Sequence, residues 1–394
     1  MSGTHAGRPG RHFLQIPGPT NVPDDVLRAM AKPTIDHRGP EFSRMTLRIL
    51  DRLQDVFQTT QPVILFPASG TGAWEAALVN TLSPGDRILG FETGQFAVLW
   101  REVATRLGFT VEWIDGDWRH GVDPAAVESI LAEDTGRTIK AVTVVHNETS
   151  TGVTSRVADV RRAIDGAGHP ALFMVDTVSS LASINYRHDE WGVDVTICGS
   201  QKGLMLPPGI GINAVSAKAM AASETARFPT SYWDWKPIVE ANAHGYFPYT
   251  PPTNLLYGMD VALDRLLEEG LPNVFARHHR LAEATRRAVG GWQLETACVD
   301  AREHSDTLTA VWLPDGHDAD HLRQTILDAF DMSLGAGLGK VQGRVFRIGH
   351  LGDLNDLTLA GTLCGVEMGL ALAGVPHAGG GVRAAMDYLR TRAD

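Results

Sequence analysis

Residues 193–203 read VDVTICGSQKG, a buried-looking strand that runs into a small polar turn carrying one lysine, Lys202. Strands buried on both faces belong to mostly parallel sheets covered by helices. The lysine is out of place. Lysine is ordinarily a solvated surface charge, yet this one follows a buried-type strand and precedes LMLPPG (204–209), which is poor surface material. Withdrawal from water lowers a lysine's pKa and leaves an amine that attacks carbonyls.

Outward from that turn the same grammar repeats. Strand patterns fall at Val63–Phe66, Ile88–Phe91, Val111–Ile114, Ala141–Val145 and Leu172–Val175, ahead of Val193–Cys198. Helical patterns at Trp74–Thr81, Phe96–Leu107, Ala125–Leu131 and Val157–Asp165 lie between most of them. Alternation of this kind predicts an α/β fold with a mainly parallel sheet flanked by helices. Phe42, Met45, Ile49, Leu53 and Val56 recur at helical spacing and read as packing. After the aromatic and proline-rich stretch 231–252, two helices are expected near Leu255–Glu269 and Val274–Val289. Beyond them the order is strand (Leu308–Leu313), helix (His321–Ala329), strand (Val345–Ile348) and helix (Gly361–Leu372), a smaller α+β module. With 394 residues, more than a single core usually holds, the expected division is an N-terminal arm (1–22), a large domain (23–260) and a small C-terminal domain (261–394).

Two further motifs sit at strand ends. Ser69-Gly70-Thr71-Gly72 follows the strand VILFP and opens a helix, so that backbone N–H groups and the helix terminus can cradle an anion. It lacks the lysine of a nucleotide P-loop, and a plain N-capped turn reads equally well. Asp176 closes the apolar strand LFMVD, at the edge where parallel sheets collect ligands. Alone it reads first as a helix cap, with a metal ligand, a ribose anchor or the partner of a ring nitrogen as alternatives. Taken together, a phosphate cup, an acid and a desolvated lysine match the needs of pyridoxal phosphate (PLP): a seat for its phosphate, a carboxylate for its pyridinium nitrogen, and an amine to hold its aldehyde as a Schiff base.

The stretches FPASGTGAWEAALVNTLSPGD, VVHNETSTGV, FMVDTVSS, GSQKGLMLPPG, YFPYTPPTNLLYG and VFRIGHLGDLN resemble the class V aminotransferases, nearest the serine–glyoxylate group, and the likeness spans nearly the whole chain from Phe13. The resemblance implies the fold-type I architecture, with a large seven-stranded-type sheet. It implies Lys202 as the cofactor lysine and Asp176 at the pyridine nitrogen. Ser69, Gly70, Thr71 and Gln201 would hold the phosphate. Phe96 would stack on the ring (core packing is the other reading), Val178 would pack beneath it, and Thr149 would reach the region of its ring hydroxyl. Tyr249 and Thr250 would be lent to the phosphate by a neighbouring subunit, in a homodimer or larger homo-oligomer whose monomer is inactive. Arg347 would clamp the substrate α-carboxylate with its planar fork, a structural ion pair being its other reading, and Arg38 would reach substrate from the partner. The reaction implied is serine plus glyoxylate to hydroxypyruvate plus glycine, with alanine or aspartate as alternative donors.

Other classes find little support. A formal charge of −11 and no basic run argue against nucleic acid. No apolar stretch approaches a membrane span, the first dozen residues lack a secretory apolar core, and the closing TRAD is no peroxisomal address, so a cytoplasmic protein is expected. None of the fifteen histidines has metal-site spacing, so no metal is expected, and His278-His279 in a charged helical run reads as surface. GAGLGK (335–340) looks like a nucleotide loop but fits neither glycine pattern. A cysteine desulfurase would need a reactive cysteine on a mobile loop, whereas Cys298 and Cys364 lie in helix- or strand-like context. A non-catalytic regulator on the same fold would carry a DNA-binding extension, and none is visible.

Overall fold

The computed structural model describes residues 10–391. Residues 1–9 of the arm and the last three residues, on which the two targeting readings partly rest, lie outside the described residues. A seven-stranded sheet runs in the order Val63–Ala68, Gly209–Val215, Val195–Gly199, Leu172–Asp176, Ile139–Val145, Arg87–Phe91, Thr110–Ile114. Every pairing is parallel except those of Gly209–Val215, which runs antiparallel to both of its neighbours. Alternate side chains of one strand enter two separate cores: Val63 and Leu65 face one, Ile64 and Phe66 the other. That is why the strands carry unbroken apolar runs. Each large side chain so buried stabilises the fold by about 1.5–3 kcal/mol. The helix Pro40–Phe57 closes one core with Phe42, Ile49 and Leu53, all fully buried.

A second sheet has the order Phe13–Gln15, Met332–Ala336, Val345–Gly349, Leu308–Trp312, Glu295–Thr296. It packs with the helices Leu271–Gly291, Ala319–Phe330, Asp356–Leu372 and Gly381–Leu389 around its own core. The first strand comes from the N-terminal arm and runs parallel to Met332–Ala336. The arm therefore starts in the small sheet and then crosses to the large one.

Three strands longer than two residues escape the sequence patterns: Phe13–Gln15, Gly209–Val215 and Met332–Ala336. Gly209–Val215 carries glycine because a Cβ at Gly211 would stand 2.5 Å from the Ser69 carbonyl; small residues there blur the strand signature. One surface expectation is corrected. His278 is 1 % exposed, its Nδ1 lying 2.7 Å from the Val274 carbonyl while Nε2 accepts from the Gly352 N–H at 3.0 Å. Burial lowers its pKa to about 4 and keeps it neutral. His279 is the exposed member, paired with Asp306.

Candidate active site

The strand Val63–Ala68 hands over to the helix Gly70–Thr81 at Ser69, whose extended backbone starts the helix without a side-chain cap. The first N–H groups of a helix have no partner within it and favour an anion. Val178 approaches so closely that a Cβ at Gly70 would lie 2.6 Å from its Cγ2. Gly70 is buried, while Ser69 and Thr71 are exposed, so the cup opens outward on one side. Gln201, on the turn facing it, has a buried amide oxygen without a partner among the described residues; only its NH2 group, not that oxygen, can donate to an anion.

One turn into the same helix, Trp74 donates its Nε1–H to Asp176 Oδ2 at 2.7 Å, and the Val178 N–H donates to Oδ1 at 2.7 Å. Asp176 is nonetheless 4 % exposed, and burial raises its pKa to about 7. A carboxyl desolvated to this degree ionises fully beside a cation. Lys202 sits on the turn after Val195–Gly199, 8 % exposed. Burial lowers its pKa to about 7, the charge of Arg347 pushing the same way and Asp176 opposing. Its Nζ donates to the Pro17 carbonyl, and Gly18, at φ +106°, has its missing Cβ where the lysine side chain lies.

Arg347 lies on the strand Val345–Gly349 of the small sheet, 7 % exposed. Its Nε donates to the Ala336 carbonyl and one terminal nitrogen to the Thr149 carbonyl, both at 2.7 Å. It forms no salt bridge among the described residues, which removes the structural ion pair as its explanation. Burial lowers its pKa to about 10, so it stays cationic at neutral pH.

A cavity of about 180 Å³ joins these groups. Ser69, Gly70, Thr71, Phe96, Thr149, Asp176, Val178, Gln201 and Lys202 all line it. Arg347 is absent from the lining and bonds the carbonyl of Thr149, which belongs to it. Arg38, Tyr249 and Thr250 are absent from its lining. Tyr249 donates to the Leu65 carbonyl at 3.0 Å and stacks on Tyr232, while Arg38 and Thr250 are exposed. Sequence reasoning missed Gly18 and Pro19, which wall the cavity, Trp74, which holds Asp176, and Glu148. The Glu148 carboxylate, fully buried, accepts from the N–H groups of Phe96 and Ala97 at 3.2 Å and from Ser150 Oγ at 2.7 Å. A tryptophan two residues after the glycine cup and a glutamate inside HNETSTG were the available signals. The described residues hold no group of three or more His, Cys, Asp or Glu that could bind a metal, and no cysteine lines the cavity.

Residues 12–340 match the family model described as aminotransferase class-V. This chain is a class V aminotransferase. The serine–glyoxylate aminotransferase of Methylorubrum extorquens is 50 % identical over 390 residues, covering 97 % of both chains. The L-aspartate–glyoxylate aminotransferase of Paracoccus denitrificans is 47 % identical over 377 residues, covering 95 % of both. Among solved structures, pyridoxamine–pyruvate aminotransferase from Mesorhizobium loti superposes with a TM-score of 0.89 at 27 % identity, covering 96 % of this chain and 97 % of that one. As a class V aminotransferase the protein works with PLP, and its cavity suits that cofactor. Its lining brings together a helix N-terminus, a carboxyl whose pKa burial raises to about 7 and an amine whose pKa burial lowers to about 7. No helix among the described residues is long and apolar enough to cross a membrane.

Proposed function

We propose that this aminotransferase moves the amino group of a small amino acid, serine first, to glyoxylate, forming hydroxypyruvate and glycine. The observation that carries the reading is the buried Lys202 amine set electrostatically between the acid Asp176 and the unpaired cation Arg347. The 50 % identity to a serine–glyoxylate enzyme supports the substrates. When bound, the cofactor supplies a cationic ring that accepts electrons as the α-carbon gives up its proton.

The chain's residues do the rest. Ser69, Gly70, Thr71 and Gln201 would hold the phosphate, and Phe96, Val178 and Thr149 would hold the ring. Asp176, ionised by the pyridinium beside it, keeps the ring nitrogen protonated. Lys202 anchors the aldehyde through Nζ. Once the donor amine takes that place, the same Nζ, with a pKa of about 7, takes and returns the α-proton. Arg347 binds the α-carboxylate with nitrogens that no acid claims.

The open side of the cup supports a homodimer in which the partner's Tyr249, Thr250 and Arg38 complete the site. The division into an arm to residue 22, a large domain to 260 and a small domain beyond belongs to the same reading. Three free cysteines suit a reducing cytoplasm. A second reading, aspartate as donor, is favoured by Arg38, a cation without an ion pair among the described residues and able to meet a second carboxylate.

Lys202→Ala should lose the visible absorbance of the holoenzyme, borohydride trapping and both half-reactions; full turnover in that variant would overturn the reading. A screen of serine, alanine and aspartate against glyoxylate should give the highest kcat/KM with serine. Aspartate in first place would establish the second reading instead.

A further inference from the structure

The glycine-rich segment Gly335–Lys340, which fits neither nucleotide-loop pattern, has a structural use at each turn. It joins the strand Met332–Ala336 to the strand that carries Arg347. At Gly335 a Cβ would lie 2.7 Å from Pro17 Cδ and 3.0 Å from Arg347 Cβ, so the arm and the arginine both pack on bare backbone. The next carbonyl, Ala336, takes the Arg347 Nε–H. Gly339, at φ +51°, has Gln95 and the Trp118 ring where its Cβ would be. Lys340 then pairs with Glu92.

Glu92 directly follows the large-sheet strand Arg87–Phe91 and precedes the helix that carries Phe96. It is 7 % exposed and also accepts from the indoles of Trp118 at 2.8 Å and Trp113 at 3.4 Å. Although burial pushes its pKa up, Lys340 and the indole donors outweigh burial and hold it below the ordinary carboxylate range. Val341 and Val345 on the small-sheet side share one apolar cluster with Trp118. The segment is thus a clasp between the two sheets, with a buried carboxylate as its anchor.

We propose that Lys340 and Glu92 are positioning residues for substrate: their ion pair seats the Arg347 hairpin over the cofactor-bearing sheet, and loosening it weakens carboxylate binding while leaving the proton-transfer chemistry intact. This rests on reading Arg347 as the carboxylate clamp. A misplaced planar fork loses one of its two parallel hydrogen bonds before it loses its charge, so the loss falls on KM.

The test compares the holoenzyme with Lys340→Met, Lys340→Arg, Glu92→Gln and Arg347→Lys. Steady-state KM for serine and glyoxylate is read together with the Kd of glycolate, an unreactive carboxylate, from its perturbation of the visible band. Lys340→Met and Glu92→Gln should raise KM and Kd by about 5-fold to 10-fold with kcat within about 2-fold, and Lys340→Arg should restore both. Unchanged Kd and KM in Lys340→Met, with a large rise in Arg347→Lys, would overturn the clasp and leave the clamp standing. Unchanged values in Arg347→Lys would overturn the clamp itself. Because Lys340 is largely exposed, its variant decides the matter even if Glu92→Gln folds poorly.

Discussion

Lys202 spends the cofactor-free state with its amine in a cavity that disfavours its charge, and the cause is burial first and Arg347 second. In the unfolded chain the same amine titrates near 10.5. Between about pH 7 and 10.5 the unfolded state therefore binds more protons than the folded one, and stability rises with pH across that window. Below it the lysine carries its full penalty, on the order of a few kcal/mol. Cofactor-free Lys202→Met should accordingly be more stable than the parent at pH 7, with the gap shrinking toward pH 10. Urea midpoints of both proteins across that range check it, and parallel pH profiles would contradict the burial described here. The lysine and Asp176 were legible from their places at strand ends. Glu148 was not, because a carboxylate in a polar turn looks solvated until the fold wraps it with backbone N–H groups.

Elements position these residues by close approach. The helix Gln95–Arg106 begins at Gly94 with no side-chain cap of its own, and Glu148 supplies the missing acceptor from another segment. Glu148→Ala should cost about 2 kcal/mol through unsatisfied N–H groups, seen as a lower urea midpoint of the holoenzyme. The arm offers a sharper case. Its strand Phe13–Gln15 lies in the small sheet, yet its Pro17 carbonyl and Gly18 backbone rest on Lys202. Gly18→Ala should fold but fail to take up cofactor, since both the φ of +106° and the lysine oppose a side chain. Visible absorbance per subunit measures this; normal loading would show that the arm yields freely. The sequence pattern around residues 13–20 offers no such warning, because three residues are too few to display strand periodicity.

At the scale of the molecule, the single chain leaves Ser69 and Thr71 exposed and keeps Tyr249, Thr250 and Arg38 away from the cavity. If a partner supplies the last three, two inactive variants can complement each other. Mixing Lys202→Ala with a Tyr249→Ala, Thr250→Ala double variant under subunit exchange should restore part of the activity, since one hybrid site regains both halves. Verified hybrids without activity would confine each site to one chain. What the amino-acid order determined alone was the alternation of apolar strands with helices, the glycine cup, the acid and the lysine, because each is written in a few adjacent residues. The antiparallel strand Gly209–Val215, the crossing of the arm, the Glu148 cap and the clasp at Lys340 were decided only in three dimensions. Each depends on which distant segment comes within hydrogen-bonding or van der Waals reach, and no local spacing encodes that.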